Sequence, residues 1–135
     1  MFLLDTMVFS ENFKTRPNPD VVDWLRQTGG GPLRVSVLTF GEVAAGVEKQ
    51  RSRDVRAFQR LSDWLDRTRR DYERRTLPFS TEIALRWGAL SMQLKRRDLD
   101  LFIAATALEH DLTVVTRNVR HFAPTGAKLF NPYEA

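Results

Sequence analysis

The sequence predicts an α/β fold around a central, mainly parallel sheet of four to five strands. Short apolar runs rich in branched residues alternate with longer stretches of helical periodicity, the pattern of βαβ units. At 135 residues, 42% apolar and 28% charged, the chain has the size and balance of one ordinary globular domain rather than of a disordered chain. No internal repeat, low-complexity segment or linker divides it, so residues 1–135 are expected to form a single domain.

Phe2 to Asp5 reads as the first strand. Asn18-Pro19-Asp20 opens a helix, with Asn18 as N-cap and Pro19 at the first helical position. That helix buries Val21, Val22 and Leu25 and stops at Gly29-Gly30-Gly31-Pro32. Leu33 to Leu38 forms the second strand, where Val35 and Val37 supply β-branched bulk. Thr39-Phe40-Gly41-Glu42 matches a capping box and starts the next helix. Val55 to about Arg75 is a long amphipathic helix with Phe58, Leu61, Trp64, Leu65 and Tyr72 on one face. Leu77-Pro78-Phe79 suits a short strand, and Ser80 caps a helix carrying Ile83, Ala84, Trp87, Leu90 and Leu94. Asp98 or Asp100 caps a nearly apolar helix from Leu101 to about His110. Leu112 to Thr116 is the clearest strand, and Ala127 to Phe130 is a last edge strand.

Several chemistries are excluded. There is no cysteine, hence no disulfide framework, Cys-ligated metal or thiol nucleophile. The longest apolar run, Leu101 to Leu108, is too short to span a bilayer, and the first residues lack the features of a secretory signal. A cytoplasmic protein with no membrane partner is expected. No phosphate-binding glycine loop and no nucleophile elbow occurs. Net charge is +4, and 17 of the 21 basic residues are arginine, whose planar fork grips phosphate with paired hydrogen bonds. That surplus suits a nucleic-acid partner and equally suits a solvated helix surface.

In an open parallel sheet, sites form beyond the carboxyl ends of the strands. Asp5 ends the first strand, Glu42 follows the second, Asp100 starts the helix that feeds the strongest strand, and Thr116-Arg117-Asn118 leaves that strand. Carboxylates grouped on one rim repel unless protonated or neutralised by a cation. Oxygen ligands without cysteine favour a hard ion, Mg²⁺ or Mn²⁺, of the kind that serves phosphoryl substrates. Each residue also has a purely structural explanation: Asp5 and Asn118 as turn residues, Glu42 as a capping-box member, Asp100 as an N-cap.

These segments together resemble PIN-domain motifs. Leu3-Leu4-Asp5-Thr6, Ser36-Val37-Leu38-Thr39-Phe40-Gly41-Glu42, Asp100 to Ala107, Leu112 to Asn118 and Asn131-Pro132-Tyr133 occur in the family's order along essentially the whole chain. The nearest subgroup is the VapC/FitB-type toxins of bacterial toxin–antitoxin pairs. The resemblance implies a three-layer αβα fold and an Mg²⁺- or Mn²⁺-dependent endoribonuclease that attacks RNA phosphodiesters with metal-activated water. It places Asp5, Glu42 and Asp100 at acidic metal-ligand positions, with Glu42 acting through bound water, and Asn118 at the fourth catalytic position. Thr6, Ser36 and Thr116 fall on hydroxyl positions that orient carboxylates or their waters. Arg96, Arg97, Arg117, Arg120 and His121 flank the rim as RNA-phosphate candidates.

Two departures stand out. His121 lies where the family often carries another acid, and only Lys95-Arg96-Arg97-Asp98-Leu99 replaces a longer loop before Asp100. Asp98 has no firm family counterpart and is not counted as a ligand. The resemblance further implies a homodimer neutralised by a cognate VapB/FitA-like antitoxin, in a heterotetramer or larger assembly. Phe9, Phe13 and Trp24 are candidates for the antitoxin groove, although core packing explains Trp24 as well.

The alternative to the toxin is a catalytically weak or inactive PIN-fold module that binds RNA or protein, since Asn118 and His121 replace acids. A haloacid-dehalogenase-type phosphatase needs a second acid where Met7 stands, and a phospho-receiver needs paired acids at the first strand end.

Overall fold

Five short strands, β1 (Phe2–Leu4), β2 (Leu33–Ser36), β3 (Thr76–Leu77), β4 (Thr113–Val115) and β5 (Lys128–Phe130), form one sheet in the order β3-β2-β1-β4-β5. Every pairing is parallel. The computed structural model describes residues 1–134. Among the described residues, seven α-helices connect and cover the strands: α1 (Thr6–Phe9), α2 (Pro19–Thr28), α3 (Val37–Gln50), α4 (Val55–Asp71), α5 (Thr81–Leu94), α6 (Leu99–His110) and α7 (Val119–Phe122).

Because side chains alternate along a strand, neighbouring residues of β1 serve opposite cores. Leu3, in register with Val114, joins Ile83, Leu90, Ile103, Ala104 and Phe122 on the face covered by α5 and α6. Leu4, in register with Val115, joins Val21, Val35, Val43 and Val47 on the face covered by α2, α3 and α4. Burial on both faces explains the near-continuous apolar strands, and the expected αβα layering is what forms. α6 is enclosed for most of its length, with Leu101 and the run Ile103 to Ala107 buried, so its lack of an apolar stripe is the mark of an interior helix.

Local chemistry sets most helix ends. The Asn18 side chain accepts from the backbone N–H groups of Asp20 and Val21, and Ser80 Oγ accepts from Ile83 N. Lys95 ends α5 in the left-handed conformation at φ 55°, so the chain reverses within Lys95–Asp98 and α6 begins at once.

Several expectations need correction. β2 ends at Ser36, not Leu38, and Ser36 caps α3 by accepting from Leu38 N at 3.1 Å. The capping box from Thr39 to Glu42 is therefore not formed; both residues lie inside α3. The long helix stops at Asp71, and Glu73–Arg75 form a 3-10 turn that leads into a strand beginning at Thr76. Asp98 takes the N-cap position of α6, but its side chain makes no capping bond.

One buried charge ties the start of the chain to residues beyond β5. Glu11, 1% exposed in the 3-10 turn after α1, accepts from Asn18 N at 2.8 Å, Lys14 Nζ at 3.0 Å and the Tyr133 hydroxyl at 2.6 Å. Burial alone would raise this carboxyl, but the hydrogen bonds outweigh it and hold the group below its ordinary value. Glu11→Ala leaves Asn18 N and the Tyr133 hydroxyl without their acceptor while the exposed Lys14 turns to water, and the expected cost is about 3 kcal/mol in urea unfolding.

Candidate active site

The carboxyl rim of the parallel sheet gathers the polar residues that the strand-end rule selects. Asp5 follows β1 directly and is 4% exposed. Its Oδ1 accepts from Thr6 N at 2.7 Å, and its Oδ2 accepts from the Thr116 hydroxyl at 2.7 Å. Thr116 leaves β4, the neighbouring strand, and its hydroxyl oxygen also accepts from Asn118 N at 2.9 Å. Both Asp5 oxygens are thus aimed by backbone that the β1–β4 pairing brings together.

Glu42 enters from α3. Its Oε1 accepts from the Thr6 hydroxyl at 2.7 Å, which supplies a partner other than the helix cap expected from local sequence. Thr39, fully buried one turn earlier, places its hydroxyl 3.5 Å from that of Thr6. Thr6 and Thr116 therefore each hold a carboxylate. Ser36 does not: its hydroxyl serves the α3 cap, and Thr39 is the additional hydroxyl beside this network. Thr39 was legible only as a helix start, because the true cap lies three residues earlier.

Asp100 stands in the first turn of α6, where helix N–H groups favour a negative charge. Its carboxyl is pushed up to about 6, first by burial and next by the charge of Asp5, with Asp98 and Glu42 adding to the repulsion and His121 opposing it. Asp5 is likewise raised by burial, against the hydrogen bonds from Thr116 and Thr6. These shifts connect the three expected acids electrostatically. Asn118, at the N-cap position of α7, lies beside them through Thr116 but makes no side-chain capping bond.

Asp98 belongs to the same neighbourhood, contrary to its exclusion from the sequence. One oxygen from each of Asp98 and Asp100 and a His121 ring nitrogen lie within 4.8 Å of one another. His121 Nε2 is 3.1 Å from Asp98 Oδ2 and 3.3 Å from Asp100 Oδ2. Arg96 grips Asp98 through two hydrogen bonds, Nε to Oδ1 at 2.9 Å and Nη2 to Oδ2 at 3.0 Å, and donates from Nη1 to the His121 carbonyl at 2.7 Å. The Arg96 fork holds Asp98 down at about 2, so this carboxylate stays charged where Asp100 resists charging. The missing acid at position 121 thus has a spatial counterpart at 98. Asp98 had one visible signal, its place two residues before Asp100, but its engagement depends on His121 from a distant segment.

The basic candidates separate. Arg96 is committed to Asp98, and Arg97 lies over the Trp87 ring at 5.4 Å. Arg117 and Arg120 are exposed beside the rim, with the Arg117 guanidinium 5.1 Å from the Tyr133 ring centroid. Trp24 is partly buried and packs edge-on against Phe2 and tilted against Phe130 at the margin of the core, and Phe9, itself a core residue, also lines a cavity beneath α4.

The raised Asp100 value carries a stability consequence. The folded chain binds this proton more tightly than an ordinary carboxyl of 3.8 does. In EDTA, its stabilising contribution is fully present below about 4 and is lost as pH rises through about 6. Asp100→Asn is expected to raise the melting temperature at pH 7.5 by roughly 3 °C and to flatten that pH dependence in thermal scans between pH 4 and 8.

The PIN domain family model matches residues 2–127. The chain is 30% identical to plasmid stability protein StbB of Pseudomonas syringae pv. tomato, covering 100% of both chains. It is 30% identical to toxin FitB of Neisseria gonorrhoeae over 98% of this chain and 99% of that protein. A VapC ribonuclease of Sinorhizobium fredii is 29% identical over 99% of each. Among solved structures, FitAcB from Neisseria gonorrhoeae superposes with a TM-score of 0.90 at 30% identity, covering 100% of both chains. A family match over nearly the full length and likeness at this level throughout place the chain in the PIN-domain family.

Proposed function

We propose that this chain is a VapC/FitB-like toxin: a divalent-metal-dependent endoribonuclease held in check by a cognate antitoxin. The observation that carries the proposal is the cluster of Asp98, Asp100 and His121 on the rim of the sheet, with the charges of Asp5 and Glu42 near enough to raise the Asp100 carboxyl. The names of the relatives support it: one is a toxin, one a VapC ribonuclease, and solved neighbours include a toxin–antitoxin complex from Klebsiella pneumoniae at 28% identity and a TM-score of 0.71.

The donor set fits a hard cation. Carboxylate oxygens predominate, no thiolate exists, and Asp100 is raised first by burial and next by the charge of Asp5, a repulsion that a bound cation relieves. Asp5 and Asp100 would hold Mg²⁺ or Mn²⁺ most directly, with Glu42 contributing through water. A cation held there supplies Lewis-acid activation of water and neutralises phosphate charge. The chain's own residues do the rest. Thr116 and the Thr6 amide fix the Asp5 carboxylate, and the Thr6 hydroxyl fixes Glu42, so neither acid has to reorganise when charge builds up. Asn118 keeps a neutral polar group on the fourth position. Arg117 and Arg120 are left as the free phosphate contacts beside a rim that is itself acidic.

The antitoxin has a suitable surface. α4 carries no fully buried residue although Phe58, Leu61, Trp64 and Leu65 face the core. A cavity of about 990 Å³ separates it from α2, floored by Leu4, Phe9 and Trp64 and edged by Arg26, Arg67, Arg70 and Arg75. An acidic segment with apolar anchors complements both the floor and the edge. The expected homodimer has a separate candidate in α5, where Leu85 and Met92 are 71% and 79% exposed two turns apart.

Purified protein is expected to cut single-stranded RNA in Mn²⁺ or Mg²⁺ and to stop in EDTA. Asp5→Asn and Asp100→Asn should each lower kcat by at least about a hundredfold, and Glu42→Gln by less. Full cutting by the Asp5 and Asp100 variants, with contaminating nuclease excluded, would remove these acids from the mechanism, whereas no cutting by the wild type would favour the inactive binding-module alternative. Arg67→Glu combined with Arg70→Glu is expected to weaken antitoxin binding about tenfold in calorimetry.

A further inference from the structure

Among the basic residues near the rim, Arg117 is joined most directly to the acid network. It lies between Thr116, which bonds Asp5, and Asn118, and among the described residues it forms no ion pair. Its guanidinium instead lies 5.1 Å from the centroid of an aromatic ring, that of Tyr133. That ring is anchored. The Tyr133 hydroxyl donates to Glu11 Oε2 at 2.6 Å, and its backbone N–H donates to Asn131 Oδ1 at 2.9 Å. Glu11 cannot follow a moving partner, because it is buried and already tied to Asn18 N and Lys14. Pro132, also buried, fixes the backbone immediately before the ring.

We infer that Tyr133 is a positioning residue for RNA, an aromatic platform locked by Glu11 that holds Arg117 ready to grip a phosphate beside the carboxylate cluster. The inference rests on the ribonuclease assignment for its substrate. A guanidinium held over a ring by cation–π attraction, as Arg117 is at 5.1 Å, spends none of its N–H donors on that contact, and those donors match paired phosphate oxygens. An arginine on a free stem loses rotamer freedom when it binds; one already laid on a ring loses less. The neighbouring bases are placed differently: Arg96 is spent on Asp98, and Arg97 makes its own aromatic contact with Trp87 in a separate groove along α5 with Ser91 and Met92. The ligand chemistry is a phosphodiester flanking the cleaved bond in single-stranded RNA.

The test uses the full chain and a fluorescent single-stranded RNA oligonucleotide in Mn²⁺. Arg117→Ala and Tyr133→Leu should each raise KM about threefold to tenfold with kcat unchanged. Each should reduce the salt dependence of binding by about 0.7 in log–log slope, the share of one phosphate. The double variant should be no worse than Arg117→Ala alone. Tyr133→Phe should recover most of the KM lost in Tyr133→Leu, because the ring returns, while its melting temperature stays lowered by loss of the Glu11 bond. That separation of KM from stability is not expected of a merely structural tyrosine. A Tyr133→Leu protein with wild-type KM, or effects of the two single changes that multiply in the double, would overturn the inference. If the wild type cuts no RNA, the ribonuclease assignment fails separately. Anisotropy with the same oligonucleotide in EDTA then decides: equal weakening by Arg117→Ala and Tyr133→Leu supports the platform, and unchanged binding overturns it.

Discussion

Several negative charges must share one rim of a parallel sheet, and much of the structure around that rim answers this constraint. Parallel pairing sends the carboxyl ends of β1, β2 and β4 to the same side, so residues far apart in sequence meet there. Asp5 is buried despite its charge because two donors meet its two oxygens. Asp100 lacks equivalent donors and takes the strain as a raised proton affinity instead. Proximity without full compensation is a poor way to stabilise a fold and a good way to prepare a cation site.

Compensation is distributed unevenly, and the unevenness has chemical meaning. Asp98 is clamped by a bidentate arginine and stays ionised, while Asp100 two residues later shares with it only the His121 ring. Thr6 serves both sides of the rim, giving its amide to Asp5 and its hydroxyl to Glu42. A short helix start thereby couples two acids that arrive on different elements. Hydroxyls suit the task because they add no charge to a region that already has too much of one sign.

What could be read in advance follows from the range of each signal. Asn18-Pro19 and Ser80 act through bonds three residues long, so their helices were legible from the sequence. Asp5 and Asp100 were legible because their neighbours are strongly patterned and the strand-end rule then applies. Position 36 was misjudged because Ser36 and Thr39 are both competent caps, and the choice fell to where β2 stops pairing with β3 at Leu77. The Asp98 cluster and the Glu11 clasp were not visible, since each is completed by a residue 23 or 122 positions away. The PIN-type motifs carried the rest of the assignment, but they say nothing about Arg96, which the fold diverts from phosphate to carboxylate.

The central position of β1 has a consequence for how the protein is made. The Asp5 carboxylate needs the Thr116 hydroxyl, 111 positions later, on a strand that pairs directly with β1. A growing chain on the ribosome holds Asp5 from the outset but cannot assemble the acid site until β4 and the residues behind it have emerged. Fragments released early would carry the first acid without the pocket that positions it. The acid site therefore closes late, once most of the chain has been synthesised.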